Sequence, residues 1–201
     1  MENMPQVNQE TQTQVSGRKA NMYLQLLADF KEEKREVLDM LEDSDEDDED
    51  LDEVSMDRLK EINNRIVSLF SAYVSSAPQN DHAQISDLYL GLLAGFKKER
   101  SIIFGMVTEW ELDGDQLEVY IDRLNEIDSK IVSLVNAYES LAPQNDDQNV
   151  DMYSRLLAGF KKEKLRILEL IKGWQYEDVL QLWKNRLTQI DNSIFAMLDK
   201  M

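Results

Sequence analysis

The sequence predicts an all-α fold: three tandem antiparallel helical hairpins, six helices in all, packed as a helical-repeat array or bundle behind a disordered N-terminal tail. The first observation behind this is repetition. Tyr23-Leu24-Gln25-Leu26-Leu27-Ala28-Asp29-Phe30-Lys31-Glu32-Glu33-Lys34 returns as Tyr89 to Arg100 and again as Tyr153 to Lys164. A copied unit of this length is the signature of a stacked repeat, and stacked repeats build surfaces more often than catalytic pockets. The second is the period. Apolar residues recur at steps of three and four, the spacing of one helical face, where a strand would alternate by two. The third is composition: 7 Gly and 3 Pro in 201 residues leave little turn chemistry for a many-stranded sheet.

Residues 1–20 are polar, rich in Gln, Asn and Thr, and lack an apolar period, so they read as a disordered tail. Repeat 1 follows over 21–76, repeat 2 over 87–141 and repeat 3 over 151–201, with linkers at 77–86 and 142–150. In each repeat a first helix carries one seam: Tyr23, Leu27, Phe30, Val37 and Leu41; then Tyr89, Leu93, Phe96, Ile103 and Val107; then Tyr153, Leu157, Phe160, Ile167 and Ile171. Each of these helices is expected to span about 19 residues, or about 28 Å.

The second helix of each repeat has a more regular heptad. Leu59, Ile62, Ile66, Leu69 and Tyr73 match Leu124, Ile127, Ile131, Leu134 and Tyr138, then Leu187, Ile190, Ile194 and Met197. In repeat 2, Asp113-Gly114 is the expected turn and Asp115 the expected N-cap, with Glu118 completing a capping box. In repeat 3, Gly173 suits a helix stop. Two near-identical segments, Ala77-Pro78-Gln79-Asn80-Asp81 and Ala142-Pro143-Gln144-Asn145-Asp146, end the second helices, since proline removes a donor and restricts its predecessor. Asp87 and Asp151 are then the expected caps of the next helices. A lone hairpin leaves Leu26, Leu92, Leu156, Leu38 and Leu168 bare, and stacking would bury them. Loosely linked, independent hairpins are the competing arrangement.

Lys34, Arg100 and Lys164 occupy a heptad position where an apolar residue is expected. They lie level with Ile62, Ile127 and Ile190, beside Glu61, Glu126 and Gln189. Glu33, Glu99 and Glu163 recur nearby, as do Arg58, Arg123 and Arg186. A polar layer of interhelical ion pairs at mid-hairpin is predicted, a device for register more than for stability. Trp183 falls on a core position.

The formal net charge is −18, and ten acids crowd into the twelve residues from Glu42 to Glu53. Glu42, Asp43, Asp45, Glu46, Asp47, Asp48, Glu49 and Asp50 are candidate contacts for a basic protein partner. The simpler reading of the same run is a solvated hairpin tip, and a third is weak divalent-cation binding. No EF-hand frame fits, because glycine is missing at the sixth position and the bidentate Glu at the twelfth. Ser44 sits in an acidophilic-kinase-like context. Trp110 and Trp174 hold matching places at the tips of repeats 2 and 3, as interface anchors or as rings folded over the hairpin ends.

Acidity disfavours direct binding to nucleic acid or anionic membranes. No cysteine is present, so no disulfide or thiolate site exists. His82, the single histidine, has no Glu-x-x-His partner, and no phosphate loop, G-x-S-x-G or H-E-x-x-H occurs. No enzyme, metal or cofactor is therefore expected. The N-terminus carries no apolar signal-peptide core and no apolar run spans a bilayer, so a soluble, cytoplasmic protein is expected.

One hairpin at a time, Leu92-Leu93 with Phe96-Lys97-Lys98-Glu99-Arg100, then Arg123-Leu124 with Ile127, is loosely similar to flagellar export chaperones of the FlgN type. Such a likeness implies antiparallel helices and a chaperone role; triplication and the acidic loop depart from it. The expected function is a non-enzymatic protein–protein interaction scaffold: an adaptor, a chaperone or an effector. The alternative is an acidic mimic of nucleic acid that blocks a DNA- or RNA-binding protein. Against the mimic, residues 151–201 hold nine Lys and Arg to seven Asp and Glu. Exposed heptad faces leave self-association open.

Overall fold

Apolar residues three and four apart make each segment helical and give it a face to bury. The computed structural model describes the chain apart from residues 1–6, 44–48, 77–81, 110–111, 113, 141–145, 174–175 and 200–201, and for 7–16, 49–53, 82, 146–152 and 173 it describes backbone alone. Among the described residues there are six α-helices and no strand: α1 (Val7–Glu42), α2 (Glu49–Ser76), α3 (His82–Glu109), α4 (Gly114–Glu139), α5 (Asp146–Leu170) and α6 (Glu177–Leu198). A 3-10 turn, Ile171–Gly173, closes α5.

The three hairpins stack. Helix α1 packs on α2, α3 on α4 and α5 on α6. The second helices form one continuous layer, α2–α4–α6, with α4 at its centre. In the other layer α1 packs along α3, while α3 and α5 meet through long side chains, Arg100 to Glu163 and Arg166 to Thr108. The core runs along the seam between layers. Leu27, Leu59, Ile62, Phe96, Ile103, Leu124, Ile127, Ile167 and Ile190 are fully enclosed. Trp183 is enclosed as well, at 1% exposure.

Several local expectations change. The first helices are longer than 19 residues: α1 has 36, α3 has 28 and α5 has 25. Helix α3 starts at His82 and α5 at Asp146, so Asp87 and Asp151 lie inside helices rather than at caps. The same holds for Asp115, which sits in the first turn of α4, one residue after its start at Gly114. An acid there favours the positive end of the helix dipole without capping it. Gly173 ends a 3-10 turn, and no described glycine has a positive φ. Of the expected tail, 1–20, residues 1–6 lie outside the described residues and the rest falls within α1, which begins at Val7.

The leucines that stacking should bury divide in an informative way. Leu92, Leu156 and Leu38 are 2%, 3% and 2% exposed. Leu26 and Leu168 are only half-buried. The first three lie in the joints between hairpins, and the last two lie on the outer hairpins' open faces.

Candidate functional site: the joints and the acidic tip

Two polar layers cross the stack, one at each joint between hairpins. Their residues occupy repeated sequence positions, so one local geometry is built twice. In the first joint Lys34 of α1 reaches across to Glu99 of α3 at 2.7 Å and donates to Asn63 of α2 at 2.8 Å. Asn63 turns its amide NH2 to Glu99, at 2.8 and 3.1 Å. Arg123 of α4 closes the set on Glu99 at 2.5 Å and meets Glu126 at 2.9 Å. Lys34, Asn63, Glu99 and Arg123 are all buried. Burial pushes the Lys34 ammonium below its ordinary pKa, against the opposing pull of Glu99.

The second joint repeats the plan with different groups. Arg100 of α3 reaches Asp128 of α4 at 2.9 Å and Glu163 of α5 at 2.5 Å. Arg186 of α6 meets Glu163 at 2.6 Å and Asp128 at 2.8 Å, and donates to Asn125 at 2.9 Å. The Asp128 contacts are close in distance but poorly aligned as hydrogen bonds. Burial raises the Asp128 carboxyl above its ordinary pKa, while the Arg186 and Arg100 guanidiniums pull the other way.

Each layer also seats a cation on an aromatic ring of the next hairpin. Lys34 Nζ lies 3.6 Å from the Phe96 ring centre, and the Arg100 guanidinium lies 4.5 Å from that of Phe160. Where α1 approaches α3, a Cβ at Gly91 would lie 3.0 Å from Lys31 Nζ, the tip of a flexible side chain that can swing aside.

A polar layer at the level of Lys34, Arg100 and Lys164 was expected within each hairpin. The pairs Arg58–Glu33, Arg123–Glu99 and Arg186–Glu163 are indeed within hairpins. Lys34 and Arg100 reach Asn63 and Asp128 in their own hairpins and also pair with the next hairpin, which makes the layer a joint between repeats. Glu61 and Glu126 pair with the arginine three residues earlier on their own helix. Sequence reasoning missed Asn63, Asp128 and Asp191, four residues after Leu59, Leu124 and Leu187 in the three second helices. Their matched position in each repeat was the available signal.

Of the acidic tip, Glu42 and Asp43 are described and exposed. Glu42 meets Lys98 of α3 at 3.1 Å, alongside Asp39 at 2.9 Å, and these acids hold the Lys98 ammonium above its ordinary pKa. The Asp43 amide donates to the Asp39 carbonyl. Ser44, Asp45, Glu46, Asp47, Asp48, Trp110 and Trp174 lie outside the described residues, and Glu49 and Asp50 begin α2 with their side chains undescribed. Among the described residues no group of three or more His, Asp and Glu could hold a metal ion, and no helix is long and apolar enough to cross a membrane. No family model, curated protein or solved structure matches the chain. The likeness to flagellar export chaperones therefore rests on the quoted hairpin residues alone.

Proposed function

We propose that this protein is a non-enzymatic interaction scaffold, acting as an adaptor, chaperone or effector by presenting a three-hairpin stack to a protein partner. One observation carries the reading. The buried charged side chains Lys34, Glu99, Arg123, Asp128, Glu163 and Arg186 are all engaged in ion pairs across helices. Their chemistry is consumed in aligning repeats. What is left for recognition is the outer surface, and a repeat stack is well suited to extended contact with another chain. The crowded acids of 42–53 make a basic protein the natural complement.

The test is capture from a lysate of the native cell by the full chain and by a chain lacking residues 42–53, at low and high salt, followed by calorimetry with the purified partner. Saturable binding by both chains places recognition on the hairpins. Binding that disappears with the deletion, or with salt, places it on the acidic tip. No saturable partner in either arm overturns the scaffold reading.

A further inference from the structure

Each joint has a forward face, supplied by the earlier hairpin, and a backward face, supplied by the later one. The forward face carries a cation on the first helix and a polar group on the second: Lys34 and Asn63, then Arg100 and Asp128. The backward face carries a glutamate and an arginine: Glu99 and Arg123, then Glu163 and Arg186. Repeat 3 has the same forward face, and among the described residues it is partly exposed. Its Lys164 and Asp191 pair with each other at 2.5 Å and are 34% and 40% exposed. Repeat 1 has the same backward face, also open: Glu33 pairs with Arg58, and the two are 32% and 42% exposed.

The apolar parts of the two faces follow the same rule. Tyr89, Leu92 and Phe96 are at most 2% exposed, and Tyr153, Leu156 and Phe160 at most 3%. Their repeat 1 equivalents Tyr23, Leu26 and Phe30 are each half-buried. On the forward side Phe70 is enclosed against Tyr89 of α3, with ring centres 6.2 Å apart, and Val135 at the same place in repeat 2 is enclosed too. Leu198, the repeat 3 equivalent, is 46% exposed.

We infer that the open forward face of repeat 3 binds the open backward face of repeat 1 on a second copy of this chain, so that the protein associates head to tail through a third joint of the kind it already contains twice. Charge complementarity commits the occupant. Lys164 would meet Glu33 as Lys34 meets Glu99, and Asp191 would meet Arg58 as Asp128 meets Arg186. The Lys164 ammonium would lie over Phe30, as Lys34 lies over Phe96. Leu168, Ile194 and Leu198 would cover Tyr23 and Leu26. The two faces differ, so the contact is heterologous and adds chains in a ring or a row rather than closing a symmetric pair. This inference does not depend on which outside protein the scaffold binds.

Sedimentation velocity on the full-length chain, from low micromolar to near-millimolar concentration, tests it together with two blocked variants. Leu198→Asp blocks the forward face and Leu26→Asp the backward face; Glu33→Lys serves as a second backward block that leaves the apolar seam intact. Circular dichroism confirms that each variant keeps its helix content. The expected result has three parts. The wild type gains mass with concentration, passing two chains, and loses it in high salt. Each blocked variant stays at one chain. An equimolar mixture of a forward-blocked and a backward-blocked variant forms a species of two chains and no larger, through the one pair of intact faces. A wild type that stays at one chain leaves these faces to a different partner and overturns the inference. So does a blocked variant that still self-associates, or a mixture that stays monomeric.

Discussion

The two joints solve the same problem with different side chains, and the difference tracks the helix spacing. At the first joint both layers come close, α1 to α3 and α2 to α4. A lysine suffices there, and a single carboxylate, Glu99, serves Lys34, Asn63 and Arg123 together. At the second joint the close helix packing lies in one layer, α4 to α6. Arg100 bridges the other, its fork reaching Asp128 on one side and Glu163 on the other. Lysine has one point charge and could not span two carboxylates with that geometry. Repetition preserves the slot, while the local spacing of the helices selects which cation fills it.

The largest expected effect separates a joint from an open face. Glu99→Ala leaves Lys34 and Arg123 buried without their shared carboxylate, which should destabilise the chain by roughly 3–5 kcal/mol in urea unfolding. The same substitution at the matching open position, Glu33→Ala, should shift the urea midpoint by a small fraction of that, because Arg58 is open to water and keeps its pair with Glu61. Equal shifts would mean that the joints are not the stabilising unit.

Next comes the ring beneath the cation. Phe96→Leu removes an enclosed ring from under Lys34 and should cost about 1–3 kcal/mol, from lost packing and lost cation–π attraction. Phe30→Leu, on a half-buried ring, should cost clearly less in dilute monomer. A larger loss at Phe30 than at Phe96 would reverse the ranking of interior and end.

Asp128→Asn gives the second joint the amide that the first one has at Asn63. The variant loses a carboxylate between two guanidiniums but also loses the cost of burying it, so the net change at neutral pH should be about 1 kcal/mol or less. The pH trend is the sharper reading. A folded-state pKa raised above the ordinary 3.8 makes the Asp128 contribution fullest below that value and erodes it as pH rises through the elevated one. Urea midpoints of both chains between about pH 3 and 7 should therefore show the variant gaining on the wild type as pH rises. A wild type that gains on the variant instead would mean that the paired guanidiniums outweigh burial.

The smallest effect belongs to the outer surface. Arg35 pairs with Glu32 and Asp39 on its own helix, and all three are well exposed. Arg35→Ala should leave the urea midpoint within error at any salt concentration. A measurable loss would mean that surface pairs along α1 matter to the joint after all.

What the sequence determined by itself was everything that depends on residues close along the chain. Heptad spacing set the helices, their pairing into hairpins and the inward faces of Ile62, Ile127 and Ile190, because helical periodicity is local. The repeats also announced that Leu92 and Leu156 would be covered. The helix starts were less legible, since proline marks where α2 and α4 must stop and leaves open how soon α3 and α5 resume. Only the tertiary structure decided that the hairpins stack, and that Lys34, besides donating to Asn63 of its own hairpin, answers to Glu99 of the next. That contact joins residues 65 positions apart, and its partner is set by the offset between neighbouring hairpins. Asn63, Asp128 and Asp191 stayed hidden for the same reason. On a single helix each is one more polar residue beside an apolar seam, and it becomes part of a buried layer only where another hairpin is packed against it.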